Sequence, residues 1–324
     1  MKSFESFLAP KLQEYIDYRI CLGYTDKSLK YPLRYLDRYV KEKVEKEEAL
    51  TPLFFLGFRK TIQKEPRTVN EIISVTRGFF QFLVRQGHYA QNPLQDIPSC
   101  QEWAYIPFIF SPKKTEQLLS SVCKCIRKDK RSFLKDYSVY MAIVLMAGCG
   151  LRISEPLNLL RSNYRTNEKT IYIEKTKFKK DRLIPVPRPV AQQIENYLAV
   201  RDTQLVEEQN PYLLTGIKHG KVHANRLYRV FHHAVKDIGS DQPRRLIGNT
   251  TFGSPTPHCL RHSFAVNTLK HIKERGASPQ KALPILASYM GHRKYRYTAV
   301  YLKVLDAEQR QELVDFNIRA QKDI

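Results

Sequence analysis

The segment GCGLRISEPLNLL (residues 148–160) marks a junction between two helices. An apolar run over roughly 136–147 predicts a buried helix that ends at the two glycines, and the serine and proline that follow can cap and open the next helix. Arg152 lies in the rigid junction between the two helices, where its planar guanidinium can bind a phosphate through two hydrogen bonds. The alternative for a single arginine is a surface side chain paired with Glu155.

Three later segments also place charged or nucleophilic side chains at the ends of predicted elements. The lysine-rich turn KTKFKKD (175–181) joins two predicted strands, and HCLRH (258–262) places two histidines and an arginine within one helical turn. The third segment runs from YMGH (289–292) to TAVY (298–301). The chain has 19 tyrosines, so periodicity alone does not single out Tyr301.

The sequence predicts no metal site and no cofactor. A zinc helix is the alternative interpretation of HCLRH, but the HExxH spacing and its glutamate are absent, and Arg261 would repel a dication. The 6 cysteines form no CxxC pair, which argues against zinc and against a disulfide framework. A reducing cytosol is therefore the expected compartment.

The charge of the chain is its most unusual property of composition. Lys and Arg total 54 against 32 for Asp and Glu, which gives a net charge of +22. Such a field attracts polyanions and favours nucleic acid as the partner over a ribosomal or membrane-surface role. The N-terminal segment does not resemble a signal peptide, and the longest apolar run, 139–147, is too short to span a membrane. We therefore expect a cytoplasmic protein with no membrane partner.

The expected architecture is mainly α with a small antiparallel β-sheet, in two domains. Four predicted helices with short loops form an N-terminal bundle over residues 1–98. A proline-punctuated stretch over 99–112 predicts an inter-domain linker, and residues 113–324 form a mixed α+β domain. Residues 239–257 predict a polar loop rich in glycine and proline, and a last helix is expected near 306–320.

The order of these motifs resembles the tyrosine recombinase (phage integrase) family. GCGLRISE, the lysine turn before RLIPV, HCLRHSFA, YMGH and TAVY follow one another as in that family, with His292 and Tyr301 nine positions apart. FFQFLVRQGHYAQNP (79–93) is similar to the end of the family's helical DNA-clamping domain. The resemblance covers nearly the whole chain, so it implies a DNA-clamping N-terminal bundle and a C-terminal catalytic domain.

The resemblance implies a role for each residue that matches a motif. Arg152 and Arg261 would hold the scissile phosphate, and Glu155 would orient its neighbours. His258 would assist proton transfer. His292 would bond the phosphate or the nucleophile.

The nucleophile and the general acid are the two assignments with open alternatives. Tyr301 would attack the phosphate, but Tyr295 and Tyr297 lie close to it in the sequence. Lys177 would protonate the leaving 5′ oxygen, by counting back from Lys180-Asp-Arg182, which matches the family's Lys-Glu-Arg. The turn departs from many relatives at its centre, which leaves Lys175 and Lys179 as alternatives. His262 is interpreted as packing.

The resemblance therefore implies a site-specific recombinase that cleaves and rejoins strands of double-stranded DNA through a covalent 3′-phosphotyrosine, without metal or ATP. It would act as a homo-tetramer on synapsed DNA, with a C-terminal helix from Asp306 docked on a neighbouring protomer, and be a monomer when free. Two alternatives stay open: a catalytically silent DNA-binding relative and a type IB topoisomerase-like relaxing enzyme. The sequence leaves open whether the role is phage integration, transposition or chromosome-dimer resolution.

Overall fold

The chain divides into two compact units, Met1–Ala104 and Tyr105–Ile324. The computed structural model describes residues 4–44, 46, 49–174, 181–205, 210–216, 220–292, 295, 297–302, 304 and 305. Each unit is mainly helical, and strands belong almost entirely to the second. The mainly α architecture with small sheets confirms the predicted fold class.

The first unit contains four helices in its described part. They are α1 (Ala9–Cys21), α2 (Lys27–Lys43), α3 (Pro52–Thr61) and α4 (Pro66–Arg85). Proline stands in the first turn of three of them, where its missing N–H costs no hydrogen bond. The side chain of Thr51 caps α3 by accepting a hydrogen bond from the backbone N–H of Phe54 at 3.3 Å, as the Thr-Pro pair predicts.

An aromatic core holds these helices together. Phe55 packs edge-to-face on Phe80, and Phe80 does so on Phe79 and Tyr89. The segment after α4 returns along that helix, because the guanidinium of Arg77 donates to the carbonyls of Leu94 and Ile97. The first unit thus has a core of its own.

The stretch 99–112 is anchored at both ends. Its beginning is bound to α4, since Asn70 exchanges hydrogen bonds with both backbone groups of Cys100. Its end enters the second unit, where the backbone of Phe110 bonds to Ser263 and Asn267. The side chains from Gln101 to Tyr105 are exposed between these anchors. The domain boundaries 1–98, 99–112 and 113–324 stay predictions.

The second unit packs its helices around one buried helix, α6. The described helices are α5 (Pro112–Lys124), α6 (Phe133–Cys149), α7 (Ser154–Asn158), α8 (Arg188–Gln204), α9 (Ala224–Asp237), α10 (Pro257–Glu274) and α11 (Pro279–Met290). Helices α5, α8, α9 and α10 all pack on α6, which is apolar on nearly every side. Such a helix is expected at the centre of a core.

Two small sheets flank this core. The first has the order β2-β3-β4, with β2 (Tyr164–Arg165), β3 (Thr170–Ile173) and β4 (Arg182–Pro185) antiparallel. The pairing of Ile173 with Arg182 confirms the two strands expected around the lysine turn. The second has the order β1-β6-β5, with β1 (Ala104–Ile106), β5 (Arg245–Ile247) and β6 (Thr250–Phe252). The prediction of a loop over 239–257 was wrong for residues 245–252, where the strands of this exposed hairpin have no apolar alternation that would indicate them.

No helix in the part of the chain that the structure describes is both long and apolar enough to cross a bilayer.

Candidate active site

The site forms where α6 and α11 end. Each helix stops at a glycine in the left-handed conformation, Gly150 with φ +61° and Gly291 with φ +63°. Only glycine adopts this conformation at little cost, and a Cβ on Gly150 would lie 2.5 Å from the ring of Phe264. The two chain reversals bring the carbonyl ends of two helices to one place.

Two arginines bind these carbonyl ends. Arg261, which is only 1% exposed, donates from Nη1 to the Gly150 carbonyl at 2.7 Å and from Nη2 to the Met290 carbonyl. Arg152 donates to the Gly291 carbonyl at 3.1 Å. Helix C-termini carry partial negative charge and stabilise cations, so the helix ends and the guanidiniums fix each other.

Glu155 connects the arginines through its carboxylate. It accepts hydrogen bonds from the backbone N–H and Nη1 of Arg152, at 2.8 and 2.9 Å, and from both terminal nitrogens of Arg182, at 3.0 and 2.9 Å. Arg261 lies 4.0 Å away. Burial alone would raise the pKa of this carboxyl, but the hydrogen bonds and charge of Arg182, with those of the other two arginines, hold it below its ordinary value.

These four side chains, Arg152, Glu155, Arg182 and Arg261, form the Glu155 cluster. Three guanidiniums surround one carboxylate, which leaves an excess of two positive charges. Burial, followed by repulsion from Arg152, lowers the pKa of Arg261 to about 9. An anion that enters beside this buried group of cations would stabilise it electrostatically.

Three histidines line the cluster. His258 and His262 lie on α10 with ring centroids 4.7 Å apart, and His292 follows α11. Burial and the neighbouring positive charges lower the pKa of His262 and of His292 to about 3. His258 is the most exposed of the three, and partial burial followed by the charge of Arg261 lowers its pKa as well. Neutral imidazoles therefore surround the arginines at pH 7.

Tyr301 is buried beside two of these histidines, His262 and His292. It is 3% exposed, and its hydroxyl is 3.1 Å from Nδ1 of His262. Burial raises the pKa of the phenol, while Arg261 and Arg152 act in the opposite direction. Tyr295 and Tyr297 are 52% and 47% exposed, whereas Tyr301 is buried and in contact with His262.

The structure brings together nearly all of the residues that the sequence singled out. These are Arg152, Glu155, His258, Arg261, His292 and Tyr301. Lys177, with its alternatives Lys175 and Lys179, lies outside the described residues. The described end of the β3–β4 hairpin is beside the site, because Arg182 at the start of β4 binds Glu155.

Three contributing residues were not predicted from the sequence. Arg182 shares the carboxylate of Glu155, and the buried Thr298 hydroxyl lies 2.7 Å from Nδ1 of His292. His262 was interpreted as packing, which is incomplete because it also contacts the Tyr301 hydroxyl. The sequence offered one signal, the position of Arg182 at the first residue of a strand after the lysine turn.

Among the residues that the structure describes, no group of three or more His, Cys, Asp or Glu side chains is arranged to hold a metal ion.

Comparison with known proteins gives one family for most of the second unit. Residues 110–308 match the model of the phage integrase family. The putative integrase/recombinase y4rE of Sinorhizobium fredii is 29% identical over 304 residues, which are 93% of each chain. The match therefore extends through both units.

Solved structures have the same fold. XerH site-specific recombinase bound to a palindromic difH substrate gives a TM-score of 0.68 at 18% identity, over 90% of this chain and 79% of that one. A lambda integrase tetramer bound to a Holliday junction gives 0.62 at 14% identity, over 89% and 77%. At these identities the similarity concerns the fold.

Proposed function

Because the chain belongs to the phage integrase family, whose members cleave and rejoin DNA, we propose that it is a site-specific recombinase in which Tyr301 attacks a DNA phosphate. One observation carries the proposal. A buried phenol lies in one site with three guanidiniums, three imidazoles and a single carboxylate. This set suits nucleophilic attack on an anion.

The guanidiniums address the main difficulty of attack on a phosphodiester. Its non-bridging oxygens repel a nucleophile, and negative charge grows on them in the transition state. Arg152 and Arg261 would each offer N–H donors to these oxygens from positions already fixed by helix carbonyls and Glu155. Donors that need no reorganisation at the moment of reaction stabilise the transition state most.

The proposed reaction exchanges one phosphoester for another. The Tyr301 oxygen forms a bond to phosphorus and gives up its proton, which His258 would accept directly or through water, while the bond from phosphorus to the 5′ oxygen breaks. Lys177 would protonate that oxygen, and His258 and His292 would assist by donating to the phosphate or passing protons. The covalent 3′-phosphotyrosine conserves the energy of the bond, so rejoining requires neither ATP nor a metal-bound water.

The proposed partners are double-stranded DNA and three further copies of the chain. The net charge of +22 supports DNA binding, and the match to a lambda integrase tetramer on a Holliday junction supports a synaptic tetramer. We propose that the protein is a monomer until DNA brings the copies together. The predicted C-terminal helix from Asp306, which would link protomers, lies outside the described residues.

A nicked suicide substrate tests the proposal. Target duplexes are first selected by binding from a random-sequence pool, then nicked close to the cleavage position so that the cut strand is lost and the adduct accumulates. The wild-type protein should give a covalent adduct on a denaturing gel. Tyr301→Phe should bind the same DNA and give none, because it lacks only the attacking oxygen.

Tyr295→Phe and Tyr297→Phe are the matched controls and should form the adduct. An adduct with Tyr301→Phe that disappears with either control would move the nucleophile. Paired sites on a supercoiled plasmid separate recombination from relaxation: recombinant products are expected, and relaxation without them would instead favour the topoisomerase-like function.

A further inference from the structure

The contact between His262 and Tyr301 has no role in the mechanism proposed above. His262 lies on α10 directly after Arg261, and Tyr301 lies 39 residues later in a described helical segment over 297–302. Nδ1 of the imidazole is 3.1 Å from the phenolic oxygen, and the two ring centroids are 5.7 Å apart. The atom that would attack phosphorus is thus one partner of a hydrogen bond.

The direction of this hydrogen bond follows from the charge states. Burial, with the charges of Arg261 and the nearby histidines, lowers the pKa of His262 to about 3, so the ring is neutral and has one nitrogen lone pair. Burial raises the pKa of Tyr301, so the phenol keeps its proton. In the tautomer with its proton on Nε2, the imidazole accepts at Nδ1 and the hydroxyl donates to it. Because the imidazole is a far weaker base than the phenolate, the proton stays on oxygen.

Side-chain hydrogen bonds connect the described segment that carries Tyr301 to the rest of the site. Thr298 lies 2.7 Å from His292, close to the start of the segment, and Tyr301 bonds to His262 one turn later. Apolar contacts join Tyr301, Val304 and Leu305 to side chains of α10 and α11. Apolar packing has no directional preference, so it does not fix the phenolic oxygen by itself.

We propose that His262 is a positioning residue for the nucleophile: its Nδ1 accepts the hydrogen bond of the Tyr301 hydroxyl and fixes the phenolic oxygen beside Arg261. This inference rests on the proposed function, with Tyr301 as the attacking residue. It requires an acceptor at the place of Nδ1 and does not require proton transfer to the ring. A displacement of about 1 Å at a reacting atom is enough to lower a rate by about 100-fold.

Two substitutions by amide side chains, asparagine and glutamine, distinguish a positioning role of His262 from other roles of its ring. His262→Asn places its carbonyl oxygen near the former Nδ1, whereas His262→Gln places the same group near the former Nε2. Both variants lose the imidazole, and neither accepts a proton near pH 7. Single-turnover adduct formation on the suicide substrate should be about 10- to 100-fold slower for Gln than for Asn, with equal DNA affinity.

A structural role alone would lower the unfolding stability of both variants without separating their rates. Urea unfolding of each full-length variant therefore accompanies the kinetics. If Gln does not fold, His262→Leu replaces it, since leucine has a similar volume and no acceptor. His271→Gln is the control, because His271 is an exposed histidine on the same helix and should leave the rate unchanged.

Equal rates of adduct formation for His262→Asn and for His262→Gln, or for the leucine variant that replaces it, would overturn the inference. A second result would also overturn it: both amide variants are inactive, and free imidazole restores cleavage to His262→Gly. That result would mean that the ring acts as a proton acceptor. Both outcomes leave the proposed function intact as long as Tyr301→Phe forms no adduct. An adduct with Tyr301→Phe would instead refute the proposed nucleophile, whatever the His262 variants do.

Discussion

Two carboxylates in the described part of the second unit, Glu155 and Asp136, each bind more than one arginine, and the two clusters differ in burial. In the Glu155 cluster the carboxylate is 7% exposed, and Arg182 and Arg261 are 10% and 1% exposed. In the Asp136 cluster, formed by Arg127, Asp136 and Arg226, the carboxylate is 11% exposed, but Arg127 is 59% exposed. Similar pairs of residues thus occur in two different dielectric environments.

The second difference is what surrounds the pairs. The Glu155 cluster has a third arginine, the buried Arg261, and it is surrounded by histidines and a buried phenol. The Asp136 cluster lines an open hollow with the exposed Arg229 and His233. Water screens an excess charge in the open hollow, while the buried cluster keeps its full effect on an incoming anion. The two clusters therefore differ both in the side chains around them and in burial.

The largest expected effect is on the rate of DNA cleavage. Arg261→Ala should lower single-turnover adduct formation by about 10²–10³-fold or more, by analogy with the loss of one oxyanion donor. Arg226→Ala removes the equivalent partner of Asp136 and should change the rate by only a few-fold. The suicide substrate measures both rates. Equal losses would mean that the two clusters do not differ in function.

The sequence accounts for part of this comparison. Arg152 and Glu155 are three positions apart, and His258, Arg261 and His262 lie within one turn of α10, so helical geometry predicts each group as neighbours. Only the order of the motifs predicted that the two groups belong to one site, because Arg152 binds a carbonyl 139 residues away. Periodicity carries no information on such contacts.

Other features were beyond the sequence for physical reasons. Arg182 is 27 residues from Glu155, and its direction depends on the register of the β3–β4 pair. The β5–β6 hairpin exposes apolar side chains such as Ile247 and lacks alternation, so it was interpreted as a loop. The helix ends at Gly23 and Gly87 were predictable, because each glycine has a positive φ that other residues rarely adopt.

A second prediction concerns stability. Glu155→Gln leaves three guanidiniums without their carboxylate in a buried place, and removing one partner of a buried pair costs about 3–5 kcal/mol. Asp136→Asn should cost clearly less, because the more exposed Arg127 regains water. Urea unfolding of both full-length variants measures the difference. A larger loss for Asp136→Asn would contradict the contrast in burial.

A third prediction concerns pH. The folded pKa of His262 and of His292 is about 3, below the ordinary value of 6.5, so the unfolded chain binds more protons between these values. The contribution of these two histidines to stability is therefore fully present above pH 6.5 and is lost as the pH falls toward 3, by up to about 1.4 kcal/mol per pH unit for each histidine.

Unfolding should be compared near pH 7 and near pH 5, above the ordinary pKa of carboxyl groups. His262→Asn removes one titrating ring and should reduce the loss of stability between the two pH values. The exposed His271 serves as the control, and His271→Asn should leave the loss as it is in the wild type. A steeper loss in His262→Asn would show that the folded ring is charged.

The smallest expected effect is the response of the two carboxylate clusters to salt. Raising the ionic strength from about 0.01 M to about 1 M shortens the screening length from about 30 Å to about 3 Å. Screening acts through solvent, so it should remove the coupling between Arg127 and Asp136, since Arg127 is mostly exposed. The coupling between Arg182 and Glu155 should persist, because both side chains are at least 90% buried. Double-mutant cycles in urea at both ionic strengths isolate each coupling from the other effects of salt on the fold. If salt weakened both couplings to the same extent, solvent would have equal access to the two clusters, and burial would not explain why an excess of positive charge is effective at Glu155 and not at Asp136.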